Sequence, residues 1–171
     1  MPRLVFSSWR EHFKEFEKLK ESILQKFRQN NQTITCAESC TGGMIAAALT
    51  DIPGSSEIFE YGYITYSNTA KKDMLGVLET TLDNFGAVSE EIAREMATGA
   101  LEHSDADVSI AVTGIAGPGG SDFKPVGRVC FARAKKNGTC QTLTKEFGPL
   151  SRKKVRLKSC QFALEWLLNE D

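Results

Sequence analysis

The sequence has 171 residues, of which 41% are hydrophobic, and this size and composition are typical of a single domain with a buried core. Its 21 lysine and arginine residues nearly balance 22 aspartate and glutamate residues, so the overall charge favours neither a nucleic acid nor an acidic membrane as a partner. No apolar run approaches the ~20 residues of a membrane span, and the N-terminus lacks a signal-peptide pattern, so we expect a cytoplasmic protein.

The first half of the chain alternates helical and strand-like patterns. Apolar residues recur at helical spacing over 8–29, which predicts an amphipathic helix. A short strand is predicted over 33–37, followed by a polar turn and a helix of small residues over 41–50. Aromatic and β-branched residues predict a strand over 59–66, and a short helix is expected over 69–75.

The second half begins with a helix predicted over 89–103, for which Ser89 is the expected N-cap. Three strands are expected over 107–113, 126–133 and 140–147, and a final helix over 151–168. This alternation of strands and helices predicts an α/β fold.

The residues that connect the last two predicted strands indicate how those strands pair. It contains Asn137 and Gly138, a pair typical of a tight antiparallel hairpin. We therefore predict a single domain over 1–171, built as a three-layer α/β/α sandwich around a mixed, mostly parallel sheet.

Cysteine and histidine give little support for a metal or a thiol nucleophile. The chain has five cysteines, an odd number without C-x-x-C spacing, so neither a disulfide framework nor a metal site nor any cofactor is predicted. Only Cys40 lies in a polar turn. The two histidines, His12 and His103, lie in a polar helix and an acidic stretch, so a Cys/His pair has little support.

Two glycine-rich turns follow predicted strands, at 38–43 and 113–120. Ligands of open α/β sheets bind beyond the carboxyl ends of the parallel strands, so both turns should face one crevice. Glycine allows backbone N–H groups to approach an anion, but neither turn matches a dinucleotide or P-loop signature. Phosphate-binding turns and ordinary tight turns both remain open from these residues alone.

Serine, tyrosine and lysine are the candidates for chemistry. A serine can be activated by a lysine whose pKa is lowered by burial or by a nearby positive charge. Lys71 should lie in the first turn of the predicted 69–75 helix, where the helix dipole favours the neutral amine. Tyr66 could relay a proton between hydroxyl and amine. The alternative is a solvated lysine, a strand tyrosine and a turn serine, and spacing does not decide between the two.

Five ordered motifs carry a family resemblance. They are Ala37-Glu38-Ser39-Cys40-Thr41-Gly42-Gly43, Pro53-Gly54-Ser55-Ser56, Thr65-Tyr66-Ser67-Asn68-x-Ala70-Lys71, Gly86-Ala87-Val88-Ser89 and Gly114-Ile115-Ala116-Gly117-Pro118. Over about 19–168 the chain resembles the CinA C-terminal-domain family, which includes nicotinamide-nucleotide amidohydrolases. The resemblance implies hydrolysis of the carboxamide of nicotinamide mononucleotide to nicotinate mononucleotide and ammonia, without a metal.

The resemblance also implies roles for individual residues. Ser56 is expected to be the nucleophile, Lys71 its base and Tyr66 a third catalytic residue, with backbone N–H groups near 54–56 for the oxyanion. Arg152, at the start of the final helix, is expected to bind the phosphate, although 147–156 departs from the family pattern there. Further substrate contacts are expected from Ser39, Thr41, Gly42, Gly54, Ser55, Thr113, Gly114, Ala116 and Gly117.

Other interpretations remain open at this level. The chain could be a non-catalytic nucleotide-binding or regulatory module, or an amidase for another small amide. Residues 1–18 extend beyond the usual start of the family, and Trp9, Phe13 and Phe16 are expected to pack on this domain or on a second subunit. A homo-oligomer is therefore predicted.

Overall fold

The computed structural model describes residues 3–121 and 123–169, with only the backbone for 3–10 and 12. Five strands form one sheet with helices on both faces. In chain order the elements are α1 (Arg3–Gln29), β1 (Ile34–Glu38), α2 (Met44–Thr50), a 3-10 turn (Ser55–Glu57), β2 (Phe59–Ile64), α3 (Asn68–Leu75), α4 (Glu79–Phe85), α5 (Glu90–Glu102), β3 (Val108–Gly114), β4 (Arg128–Lys135), β5 (Cys140–Glu146) and α6 (Arg152–Leu168).

The strand order is β2-β1-β3-β4-β5. β1 pairs in parallel with both β2 and β3, whereas β4 is antiparallel to β3 and to β5. Four of the five strands therefore run in one direction, and the predicted mixed, mostly parallel sheet is confirmed. The last antiparallel pair is the hairpin expected at Asn137 and Gly138, and Gly138 has the positive φ of 90° that such a turn requires.

Two apolar cores cover the two faces of the sheet. One contains Phe131, which is fully buried and packs edge-to-face on Phe162 of α6 at 4.8 Å between ring centroids. The other packs α5 on the opposite face, where Met96 is fully buried. These two layers of helices around one sheet confirm the predicted three-layer sandwich.

α3 and α5 approach each other closely at Gly99. A Cβ atom at this position would overlap with backbone atoms of Leu75, so only glycine fits there without moving α3. Ser89 caps α5 as predicted, since its hydroxyl accepts a hydrogen bond from the Ile92 N–H at 3.3 Å. Short α4 was not predicted, because 79–85 offers too few apolar positions to show a helical period.

Residues 3–18 form the first part of α1. Phe16 packs against the core, whereas Phe13 is 57% exposed in this single copy. The side chains of Trp9 and His12 lie outside the described residues. Within the described parts of the chain, no helix has the length and hydropathy needed to cross a membrane.

Candidate functional site

A cavity of about 240 Å³ opens at the carboxyl ends of the parallel strands β1, β2 and β3. Both glycine-rich turns reach it, which confirms the expectation that they face one crevice. Its walls come from the β1–α2 turn, the start of α3, the segment before α5 and the end of β3. The lining residues are Ser39, Cys40, Tyr66, Asn68, Lys71, Ala87, Val88, Thr113, Gly114, Ala116 and Arg152.

Ser39 and Lys71 meet at the base of this cavity. The Lys71 Nζ lies 3.0 Å from the Ser39 Oγ and also donates to the carbonyl oxygen of Thr65 at 2.9 Å. A third, longer bond of 3.5 Å runs to the Tyr66 carbonyl. A neutral amine could keep both carbonyl bonds while accepting the Ser39 proton, so this geometry suits either charge state of the lysine.

Burial lowers the pKa of Lys71 below its usual value. The residue is only 1% exposed, and among the described residues no carboxylate pairs with its ammonium. Its position is fixed by Ser67, whose hydroxyl caps α3 by accepting the Ala70 N–H at 3.0 Å. Burial is therefore a cause of the lowered pKa in addition to the helix dipole predicted from the sequence.

The side chain of Glu38 stabilises the turn that carries Ser39. This fully buried carboxylate accepts the backbone N–H groups of Gly43, Ile45 and Ala46 at 3.0, 3.1 and 2.9 Å. It therefore occupies the donors at the start of α2 and adds a negative charge there. Three N–H groups at this helix start are thus occupied, which favours the ordinary tight turn over a phosphate-binding turn at 38–43.

Arg156 holds the same turn from α6. Its guanidinium donates to the carbonyl oxygens of Cys40 at 3.0 Å and Thr41 at 2.8 Å. Opposite charges thus bind opposite ends of the turn, with Glu38 on its N–H groups and Arg156 on its carbonyl groups. Neither residue lines the cavity, so both act on the position of Ser39 through the backbone.

Tyr66 and Arg152 lie at the mouth of the cavity. The Tyr66 hydroxyl accepts a hydrogen bond from the Arg152 guanidinium at 2.7 Å, and a second guanidinium nitrogen donates to the Gly117 carbonyl at 2.7 Å. Tyr66 is 60% exposed. Its hydroxyl is bonded to Arg152 and not to the serine–lysine pair, which differs from the predicted bridge between hydroxyl and amine.

Within one copy of the chain, Ser56 does not pair with Lys71. Ser56 lies in the 3-10 turn before β2, whereas Lys71 follows the far end of that strand. Six strand residues at ~3.3 Å each put about 20 Å between these two positions. Gly54 and Ser55 lie in the same remote turn, so this segment neither lines the cavity nor offers it oxyanion donors.

The remaining predicted contacts divide into two groups. Thr113, Gly114 and Ala116 line the cavity as expected. Thr41 and Gly42 do not, because the Thr41 side chain is fully buried below the turn and Gly42, with a φ of 58°, serves the turn geometry. Gly117 contributes only through its carbonyl bond to Arg152.

Several lining residues were not assigned a role from the sequence. Asn68, Ala87 and Val88 line the cavity, and all three lie in the motifs that carried the resemblance. Cys40 also lines it, but burial raises the pKa of this thiol to about 12, which leaves it protonated and poorly nucleophilic at neutral pH. The described residues contain no group of three or more metal-binding side chains.

The fold and cavity define an α/β domain with a buried serine–lysine pair, and the comparisons with known proteins identify its family. The CinA C-terminal domain model matches residues 16–170, so the chain belongs to this family. It is 48% identical over 158 residues to the nicotinamide-nucleotide amidohydrolase PncC of Enterobacter agglomerans, covering 92% of this chain and 96% of the relative.

Other relatives agree with this assignment. The nicotinamide-nucleotide amidohydrolase PncC of Escherichia coli K12 is 47% identical over 154 residues, covering 90% of this chain and 93% of that protein. The crystal structure of the competence/damage inducible protein CihA from Agrobacterium tumefaciens superposes with a TM-score of 0.86 at 48% identity, covering 89% of this chain and 93% of that one.

Proposed function

We propose that the protein is an amidohydrolase that converts nicotinamide mononucleotide to nicotinate mononucleotide and ammonia. The observation that carries this proposal is the 3.0 Å contact between Ser39 and the buried Lys71 in a cavity at the carboxyl edge of the sheet. Similarity to proteins named as nicotinamide-nucleotide amidohydrolases over about nine tenths of the chain supports the choice of substrate.

The proposed nucleophile is Ser39, with Lys71 as its base. The neutral amine of Lys71 takes the Ser39 hydroxyl proton while Oγ attacks the carboxamide carbon. The resulting ammonium of Lys71 protonates the leaving nitrogen, and ammonia departs as the tetrahedral intermediate collapses to an ester on Ser39. Lys71 then takes a proton from water, the hydroxide attacks the ester, and the proton returns to Ser39. Each half-reaction uses the same two side chains.

Arg152 is proposed to bind the phosphate group, as expected from the sequence. Its guanidinium lies at the mouth of the cavity and is held by two neutral acceptors, so its positive charge remains available to an anion. The hydroxyl of Tyr66 orients this guanidinium. This arrangement favours a role for Tyr66 in substrate binding over the proton relay predicted from sequence.

Purified protein incubated with nicotinamide mononucleotide should release ammonia and nicotinate mononucleotide in equal amounts. Chromatography of the nucleotides together with an ammonia assay would measure both products. Nicotinamide, nicotinamide riboside and glutamine serve as alternative amides. Turnover of one of these and not of the mononucleotide would favour an amidase of another specificity, and no turnover of any of them would favour a binding module.

We also propose a cytoplasmic location and a homo-oligomeric state. Five cysteines without a disulfide fit a reducing compartment. β2 forms an edge of the sheet, and Tyr61 and Ile64 on it are 48% and 51% exposed, so a second copy could cover this edge. Light scattering on the purified protein would test the second proposal, and a monomeric mass would contradict it.

A further inference from the structure

The register of the sheet fixes the direction of the backbone groups at the end of β3. The Ser39 N–H donates to the Val112 carbonyl at 2.9 Å, so the polar backbone groups of Val112 face β1. Backbone groups of successive strand residues point to alternate sides of the strand. Those of Thr113 therefore face β4, and those of Gly114 face the β1 side again. The Ile115 N–H donates to the Arg128 carbonyl of β4 at 2.9 Å, as this alternation requires.

Strand β1 ends before it reaches the position opposite Gly114. β1 ends at Glu38, and the next rung of the parallel ladder would join the Gly114 N–H to the Ser39 carbonyl. That carbonyl instead accepts the Gly42 N–H at 3.1 Å, inside the turn. Within the described parts of the chain, no acceptor on the β1 side takes the Gly114 N–H.

Gly114 lies in the wall of the cavity that contains Ser39 and Lys71. Only glycine fits here without moving its neighbour, because a Cβ atom would lie 2.7 Å from the Val129 Cγ2. Attack by Ser39 converts the carboxamide oxygen into an oxyanion, which needs a preorganised donor in a site of low polarity. The Gly114 N–H lacks the hydrogen-bond partner that a longer β1 would supply, and the strand already holds it in place. It is therefore a preorganised donor.

We propose that the backbone N–H of Gly114 stabilises the oxyanion of the tetrahedral intermediate formed on Ser39. This inference rests on the proposed function, and it moves the oxyanion donors from the remote turn at 54–56 to the end of β3. The ammonium of Lys71, once it has taken the serine proton, adds its charge on the other side of the reacting carbon.

The first test replaces Gly114 by glycolic acid, which exchanges the amide for an ester, removes the N–H and weakens the Thr113 carbonyl as an acceptor. With nicotinamide mononucleotide as substrate, kcat should fall about 10²–10³-fold, as for the loss of one oxyanion donor. The free energy of unfolding should fall by no more than the weakened Thr113 carbonyl explains, because the described residues give this N–H no partner. A kcat within threefold of the parent protein would overturn the proposal.

The matched control is the α-hydroxy acid analogue at Ile115, one residue further along. Its N–H makes the sheet bond to Arg128, so its loss should lower the free energy of unfolding while kcat stays within a few-fold. Equal losses of kcat at the two positions would mean that the ester at Gly114 acts by disturbing the strand, and would also contradict the proposed role.

A second measurement does not depend on the substrate. Phenylmethanesulfonyl fluoride should form a sulfonyl ester with the Ser39 Oγ, releasing fluoride and transferring the serine proton to Lys71. A sulfonyl oxygen then takes the place of the oxyanion, and the amide proton resonance of Gly114 should move downfield, with no shift in Ser39→Ala. An adduct without this shift would overturn the proposal, as would failure of Ser39 to react. A shift in a protein that does not hydrolyse the mononucleotide would support the N–H role and contradict only the proposed substrate.

Discussion

Lys71 is buried and has no counter-ion among the described residues, and its proposed catalytic role depends on this. The pKa of its amine is lowered by burial, so a neutral base is present at lower pH than for an exposed lysine. The kcat/KM should therefore rise with pH around this lowered pKa, with the midpoint of the rise below pH 10.5. A pH–rate profile measures this. A rise centred at the ordinary lysine value would contradict the role of burial.

Variants at the same position separate charge from basicity. Lys71→Arg keeps a cation that cannot be deprotonated and should abolish turnover, and Lys71→Met should do the same. Lys72→Met is the control, because Lys72 points away and pairs with Glu79 at 2.9 Å.

The pH dependence of the free energy of unfolding is a second measurement of the lowered pKa of Lys71. Between the lowered pKa and 10.5 the unfolded chain binds more protons, so the free energy of unfolding should rise with pH, and Lys71→Met should remove this rise.

Arg152 tests the proposed phosphate site. Arg152→Ala removes a charged donor worth about 1.5–3 kcal/mol, so the KM for nicotinamide mononucleotide should rise roughly tenfold or more while kcat changes less. The KM for nicotinamide riboside, which lacks the phosphate, should stay the same. Lys153→Ala, one residue along the same exposed helix start, is the control. Equal effects on the two substrates would exclude phosphate recognition by Arg152.

The turn between β1 and α2 depends on a distant helix. Arg156 of α6 binds two carbonyl groups next to Ser39, more than one hundred residues away in sequence. Arg156→Ala should lower kcat at nearly constant KM, because it loosens the nucleophile without touching the substrate. Arg156→Lys restores one of the two bonds and should recover part of the rate. Steady-state kinetics with a thermal unfolding control would measure both, and a pure KM effect would contradict the positioning role.

Sequence patterns predicted most elements because long periodic segments are their strongest signal. Helix α1, with buried Ile23 and Phe27, and strand β3, with buried Ile110 and Val112, are examples of such segments. α2 was predicted three residues too early, since the carboxylate of Glu38 holds 43–46 and delays the helix start to Met44. That contact depends on tertiary burial, which no local pattern reports.

Across the whole domain, the residues of the site were predicted better than their pairing. Ser39, Thr113 and Gly114 were selected from the glycine-rich turns and the family resemblance, and Lys71 from its place at the start of a predicted helix. The choice of Ser56 as nucleophile followed the resemblance and stays a prediction, since within one copy of the chain Ser56 does not reach Lys71. Ser56 and Lys71 lie at opposite ends of β2, and spacing along the chain cannot distinguish the two ends of a strand.

The most direct test of the serine assignment compares two single substitutions. Ser39→Ala should lower kcat for nicotinamide mononucleotide by at least about 10³-fold, because the nucleophile is lost. Ser56→Ala, at the opposite edge of the sheet, should keep kcat within twofold, and circular dichroism would confirm that both variants fold. Loss of turnover in Ser56→Ala together with an active Ser39→Ala would contradict the account of this site.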